Sequence, residues 1–192
     1  MARPREFEMD EALEGAMQIF WRQGYGATNL PDLLQAMGLT RGSFYKAFGD
    51  KRSVYLEALK RYDENNISAA VQLLGDADQG DGIARIEKLF EAALDDTAHE
   101  SERRGCLVCN AMVELAPCDP DVAQLAAGMS KRLQDAFAGA LGGGEDAANQ
   151  PALTQQAIAI TNLYFGAQAM SKTGQKMPDW SAVLSSIVGS AA

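Results

Sequence analysis

Thr28, Arg41, Gly42, Ser43, Tyr45, Lys46 and Lys51 fall within one short stretch of this 192-residue chain. Their chemistry suits phosphate and base edges. Arg41 carries a planar fork of donors that matches guanine O6 and N7, or a phosphate. Ser43 can donate to either. Gly42 removes a side chain where this chain's backbone can approach such a partner closely. Tyr45 and Lys46 lie on the side of a helix away from Phe44 and Phe48, and Thr28 and Lys51 flank the set as backbone anchors. On the residues alone an alternative stays open, in which Thr28 only caps a helix and Tyr45 only packs.

A second set is Arg104-Gly105-Cys106-Leu107-Val108-Cys109-Asn110. Cys106 is expected in the first turn of a helix, just after Arg103 and Arg104. A helix N-terminus and nearby cations both favour thiolate, the reactive form. Cys109 lies one turn on as a possible resolving partner, although a single helix strains such a disulfide. The alternative is a pair of small buried residues, since free cysteine is among the most buried types. The Cys-x-x-Cys spacing also occurs in zinc and thioredoxin motifs. No strand precedes it, and zinc would need Cys118 and the sole histidine, His99, to converge on it. No metal and no cofactor is expected. With one histidine, no Gly-x-Ser-x-Gly and no phosphate loop, the chain is not expected to be an enzyme.

The elements that must position the first set are short. Leu30, Leu33, Leu34 and Met37 recur at i, i+3, i+4 and i+7, one face of a helix. Thr28 or Asn29 can cap its start, and Gly38 can close it in a left-handed conformation. Thr40 is a second N-cap candidate, opening a helix with Phe44 and Phe48 on one face. Two short helices joined by a glycine-containing turn make a helix-turn-helix. The second would enter the DNA major groove with its N-terminal residues at base edges.

Gly24-Tyr25-Gly26-Ala27-Thr28, Asp32-Leu33, Gly38-Leu39, Gly42-Ser43-Phe44-Tyr45, Phe48 and Lys51 together resemble the DNA-binding segment of TetR-family transcriptional regulators. The match covers roughly residues 10 to 60. The resemblance implies phosphate contacts for Tyr45 and Lys51, and a homodimer. Pro31, Lys46 and Ala47 depart from the residues common in the family, so the base sequence read does not carry over. Gly105-Cys106-Leu107-x-x-Asn110 resembles one branch of the family, some members of which sense electrophiles or oxidants through this cysteine.

The remainder reads as helical throughout. Arg3 and Arg5 are expected in a short tail before a helix near Asp10 to Gln23, whose stripe is Leu13, Ala16, Met17, Phe20 and Trp21. Asp50 caps a connector helix predicted from 51 to about 74. Further helices are expected near 82–99, 105–116, 120–141, 151–174 and 178–190. The fold class is therefore all-α, about nine helices. A helix-turn-helix head of three helices (1–50) precedes an effector-binding and dimerisation body (51–192), with 51–74 as connector. Net charge is −9, unusual for a DNA binder, but it is unevenly spread. Residues 1 to 62 carry nine Lys/Arg against eight Asp/Glu, a net of +1, while residues 63 to 192 carry eight against eighteen, a net of −10. An acidic body that repels phosphate favours oriented binding over indiscriminate coating of DNA.

No charge occurs from Ala147 through Ser171, yet Gln155, Gln156, Asn162 and Gln168 make a poor membrane span. A helix so weakly charged needs cover on more than one side. Helices 151–174 and 178–190 are expected to pair with their two-fold mates in a four-helix bundle. No membrane partner is expected. Three cysteines, no apolar run of spanning length and no visible signal peptide point to the cytoplasm. Phe90, Cys106, Cys109, Asn110, Met112, Tyr164, Phe165 and Gln168 are effector-pocket candidates, an apolar wall with a few polar anchors for a small organic ligand or a thiol-reactive electrophile. The expected function is a DNA-binding transcriptional regulator, a repressor released from a palindromic operator by such an effector. Effector binding would shift the connector and change the separation of two recognition helices. The alternative is a zinc- or redox-binding helical module whose head meets another protein.

Overall fold

The computed structural model describes residues 3–95, 104–142, 150–175 and 178–189. Among them the chain is all-α, with no strand. The helices are α1 (Arg3–Gln23), α2 (Leu30–Met37), α3 (Arg41–Phe48), α4 (Lys51–Tyr62), α5 (Ser68–Gly75), α6 (Gly82–Asp95), α7 (Leu107–Glu114), α8 (Pro120–Gly142), α9 (Pro151–Ser171) and α10 (Trp180–Gly189). No described helix is long and apolar enough to cross a membrane.

Several boundaries differ from the sequence expectation. The helix predicted from Asp10 begins at Arg3, so Arg3 and Arg5 are helical rather than a tail. Pro4 stands in its first turn, where a missing N–H costs nothing. The connector is not one uninterrupted α-helix. A π-turn over Asp63–Ile67 separates α4 from α5, at a polar Asp-Glu-Asn-Asn run that sets no apolar periodicity. Counting α4, the π-turn and α5 together, nine helices are described. The Cys106 helix begins two residues later than expected, at Leu107, because Gly105 takes a positive φ of 62° that a helix cannot continue through, so Cys106 stands before the first turn rather than in it. His99 and the glycine run at 143–144 lie outside the described residues.

The chain forms two compact units, residues 1–65 with 107–126, and residues 66–106 with 127–192. In the first, Ala12, Ala16, Met17 and Phe20 of α1 are buried, as are Val54, Tyr55, Ala58 and Leu59 of α4 and Leu33 of α2. Leu13 and Trp21 of the expected stripe are only half-buried. Helices α1 and α2 touch so closely that a Cβ at Gly15 would fall 2.0 Å from the Ala36 carbonyl oxygen, so only glycine fits there. Phe20 and Tyr55 meet edge to face at 5.0 Å, as do Trp21 and Tyr62. The Tyr55 hydroxyl is buried with no hydrogen-bond partner among the described residues, and burial raises its pKa well above the ordinary phenol value. Arg61 Nε donates to Glu14 at 2.7 Å, tying α4 to α1.

In the second unit α6 buries Ile86, Leu89 and Phe90, the later part of α8 buries Met129, Leu133 and Phe137, and α9 buries Ala157, Ile160, Tyr164 and Phe165. A Cβ at Gly82 would lie 1.8 Å from the Ala140 carbonyl oxygen, which sets how closely α6 meets α8. Arg85 is buried and donates through its guanidinium to the Leu74 carbonyl at 2.6 Å, satisfying an orphan carbonyl at the end of α5. Gln156 Nε2 donates to the Val188 carbonyl at 3.1 Å and fastens α9 to α10. On α10 only Leu184 is fully buried.

Candidate nucleic-acid interface

Three side-chain caps build the surface around α3. Asn29 caps α2, its Oδ1 accepting the Asp32 N–H at 3.0 Å. Gly38 ends that helix in the left-handed region (φ 64°, ψ 24°), and the following Leu39 N–H reaches back to the Leu34 carbonyl at 3.1 Å. Thr40 then caps α3, its Oγ1 accepting the Ser43 N–H at 3.2 Å. Asp50 caps α4 by accepting the Ser53 N–H at 2.7 Å. That backbone donor holds the Asp50 carboxyl below its ordinary pKa. Each such cap is worth about 1 kcal/mol, and together they fix the directions of three short helices that propensity alone would not hold.

With Phe44 fully buried, α3 turns Arg41, Gly42, Ser43, Tyr45 and Lys46 outward. Tyr45 is 49 % exposed, its ring edge-on to Phe44 at 5.4 Å. Arg41 and Lys46 form no hydrogen bond or ion pair among the described residues, in contrast to Arg52, Lys60 and Arg61, which are each paired with carboxylates. Nothing within 4 Å would meet a Cβ at Gly42, so the fold itself does not require glycine there. The Ser43 hydroxyl lies 3.0 Å from Thr40 Oγ1, a bond it can keep while accepting or donating another. Lys51 opens α4 with its Nζ 4.2 Å from the Tyr25 ring centroid, and partial burial lowers its pKa.

Thr28 stands apart from this surface. It is fully buried and its hydroxyl donates to the Gly24 carbonyl at 2.7 Å, closing the turn after α1. Sequence reading missed the partners of α4's first turn. Arg52 donates to Asp119 at 2.6 and 2.8 Å and to Asp121 at 2.6 Å, and the Asp119 carboxyl is held below its ordinary pKa by this guanidinium. The partners lie 67 and 69 residues away, beyond any local pattern.

The chain matches the family model described as "Bacterial regulatory proteins, tetR family" over residues 12–58. It matches the model described as "Tetracyclin repressor-like, C-terminal domain" over residues 82–188. This protein belongs to the TetR family. It is a DNA-binding transcriptional regulator, and residues 12–58 are its helix-turn-helix region. Among its relatives, the HTH-type transcriptional regulator YezE of Bacillus subtilis (strain 168) is 32% identical over 71% of this chain and 70% of its own length. The HTH-type transcriptional repressor ComR of Escherichia coli (strain K12) is 30% identical over 63% of this chain and 57% of its own length. The same fold occurs in a cysteine mutant of the TetR-family regulator CifR solved with 26-base-pair operator DNA, at a TM-score of 0.72, 24% identity and coverage of 95% and 94%.

The effector candidates of this TetR-family chain divide between the units. Phe90, Cys106, Tyr164, Phe165 and Gln168 belong to the second, and Cys109, Asn110 and Met112 to the first. In the second unit Phe90 is the hub of a ring cluster, 5.3 Å from Tyr164 and 4.8 Å from Trp180, and Tyr164 also meets Phe137 at 6.0 Å. Phe137 and Trp180 were not among the predicted lining residues. Only tertiary contacts bring them to the cluster, Trp180 against Phe90 and Phe137 against Tyr164. Gln168 is 5 % exposed, and its side-chain amide forms no hydrogen bond among the described residues. Gly105 explains its place in the Gly-Cys-Leu segment physically. It needs a positive φ, and a Cβ there would fall 2.9 Å from the Gln168 carbonyl oxygen. Cys106 is 1 % exposed, Cys109 is half-buried and Cys118 is exposed.

Proposed function

We propose that this protein is a homodimeric repressor whose two copies of α3 read the halves of a palindromic operator, and that a small molecule releases it. The observation that carries the DNA reading is the pair of unpaired cations, Arg41 and Lys46, beside Tyr45, Ser43 and a glycine that the fold does not require. In this reading Arg41 contacts a guanine or a phosphate, and Ser43, Tyr45, Lys46 and Lys51 bind the backbone. Gly42 lets the chain approach it. Thr28 acts through the turn it closes. ComR's description as a repressor supports the direction of control, and the operator complex of CifR supports the docking mode.

The dimer reading rests on α9 and α10. Gln155, Ile158, Ala159, Asn162, Gly166, Ala169 and Met170 of α9 are exposed and uncharged, with Ile158 at 41 % and Met170 at 48 %. Ser181, Ala182, Ser185 and Ser186 give α10 an equally uncharged exposed side. An uncharged face rich in small residues suits close helix-on-helix contact with a second copy.

The effector reading rests on the Phe90 ring cluster together with the unpartnered amide of Gln168, an apolar wall with one polar anchor. Cys106 adjoins this α9 segment through Gly105 and supplies a thiol for an electrophilic effector. Its burial makes reaction slow unless the packing opens. N-ethylmaleimide labelling of Cys106 no faster than in a denatured control, with DNA affinity unchanged, removes the electrophile version and leaves the small-ligand one. To release DNA, the effector must prefer the DNA-incompetent state by a few kcal/mol. Capture of sheared genomic DNA tests the whole. An enriched palindrome is expected from wild type, and recovery of random fragments contradicts it.

A further inference from the structure

The corner between α7 and α8 grips the DNA-facing segment from far along the chain. Glu114 Oε2 accepts the Tyr25 N–H at 2.9 Å, and Oε1 accepts the Gly26 N–H at 2.5 Å. A Cβ at Gly24 or at Gly26 would fall 2.9 Å from this carboxylate, so the loop is cut to fit it. Tyr25 in turn supports Lys51, whose ammonium lies 4.2 Å from the ring centroid. The ring is wedged in place by Tyr55 at 5.0 Å and Phe20 at 6.1 Å. The next residue, Arg52, is forked onto Asp119 and Asp121 of the same corner. Two adjacent cations thus open α4 in opposition to its dipole. Arg52 is neutralised by carboxylates, and Lys51 is held by a ring face that leaves its donors for another partner.

We infer that Glu114 is a positioning residue for DNA binding: by fixing the Tyr25–Gly26 backbone it sets the ring that aims the Lys51 ammonium at a phosphate. Charge-assisted bonds from one carboxylate to two successive amides are strong and directional enough for this task. The inference rests on the proposed phosphate contact of Lys51, and the test separates the two. Operator binding is measured over a salt series, with a duplex carrying the motif enriched from sheared genomic DNA, for wild type, Glu114→Gln, Lys51→Met and the double variant. Losing one phosphate contact lowers the slope of log affinity against log salt by about 0.9 per head. Each single variant is expected to show that change with about tenfold weaker binding. The double variant is expected to be no weaker than Lys51→Met alone, because both changes remove one contact.

A Glu114→Gln slope equal to wild type, beside a lowered Lys51→Met slope, overturns the positioning role and leaves Lys51 in place. Multiplying losses in the double variant do the same. A Lys51→Met variant that binds like wild type overturns the Lys51 contact and the inference with it. Should Glu114→Gln fail to fold, Tyr25→Phe and Tyr25→Leu give the same readout. The phenylalanine keeps the ring and is expected to keep the slope, and the leucine is expected to lose it. Equal slopes for those two variants overturn the role.

Discussion

The cap-rich segment from Gly24 to Ser53 and the ring cluster around Phe90 are held together by different forces. In the first, Asn29, Thr40 and Asp50 each place one oxygen on one backbone N–H, and Glu114 places two. Hydrogen bonds lose strength steeply with angle, so this segment has few alternative arrangements. In the second, Phe90, Phe137, Tyr164, Phe165 and Trp180 meet at centroid distances of 4.8 to 6.0 Å with interplanar angles from 53° to 70°. Ring contacts accept a range of geometries at similar energy. On the proposed function, a surface that reads a fixed duplex is best built the first way, and a lining that admits a ligand and re-packs is best built the second.

That contrast separates two measurable quantities, stability and operator affinity. Phe90→Ala should lower stability by about 3–5 kcal/mol, as expected for emptying a fully buried phenylalanine site. Chemical denaturation checks it, and operator affinity of the folded protein should stay within about threefold of wild type. Arg41→Ala with Tyr45→Phe should do the reverse. Operator affinity should fall about a hundredfold, near 3 kcal/mol, with an unchanged melting temperature, because both side chains are exposed. A large melting shift here would erase the distinction between the two regions.

Thr40→Ala removes one cap and should cost about 1 kcal/mol of stability. Here stability and affinity should move together, since the cap orients the helix that carries Arg41. Acid should have the smallest effect. The Asp50 and Asp119 carboxyls titrate below their ordinary value of 3.8, held down by the Ser53 amide and the Arg52 guanidinium respectively. Their contribution is therefore complete above that value and is lost as pH falls through the lowered folded values. Near-ultraviolet circular dichroism of Tyr25 and Tyr55 should hold steady from pH 7 to about 4 and fade below it. An Asp119→Asn variant should show a shallower fade.

The part of the site that is legible in sequence is the part that depends on neighbours a few residues apart. Gly38, Thr40 and Phe44 announce the turn, the cap and the buried face of α3, and all three do what their spacing implies. Asp50 capping α4 is equally local. The helical class of the whole chain follows from the same short-range periodicity. What sequence reading missed is long-range. Glu114 lies 88 residues from the amide of Gly26, and nothing in its surroundings marks it as an acceptor for that loop. Gly15 lies outside the apolar stripe of α1, and only the approach of α2 gives it a role. The π-turn at Asp63–Ile67 has no local signature beyond a polar run. Thr28 illustrates the limit from the other side, since its hydroxyl reads in sequence as an anchor or a cap, whereas in the fold it is buried and donates to the Gly24 carbonyl while Asn29 caps α2.

Footprinting on the enriched operator tests the central claim most directly. Two protected patches related by a two-fold axis, about one helical turn or a multiple of it apart, are expected for wild type and should vanish together with Arg41→Ala and Tyr45→Phe. A single patch, or protection that survives both substitutions, contradicts the assignment of α3 as the reading surface of a dimer.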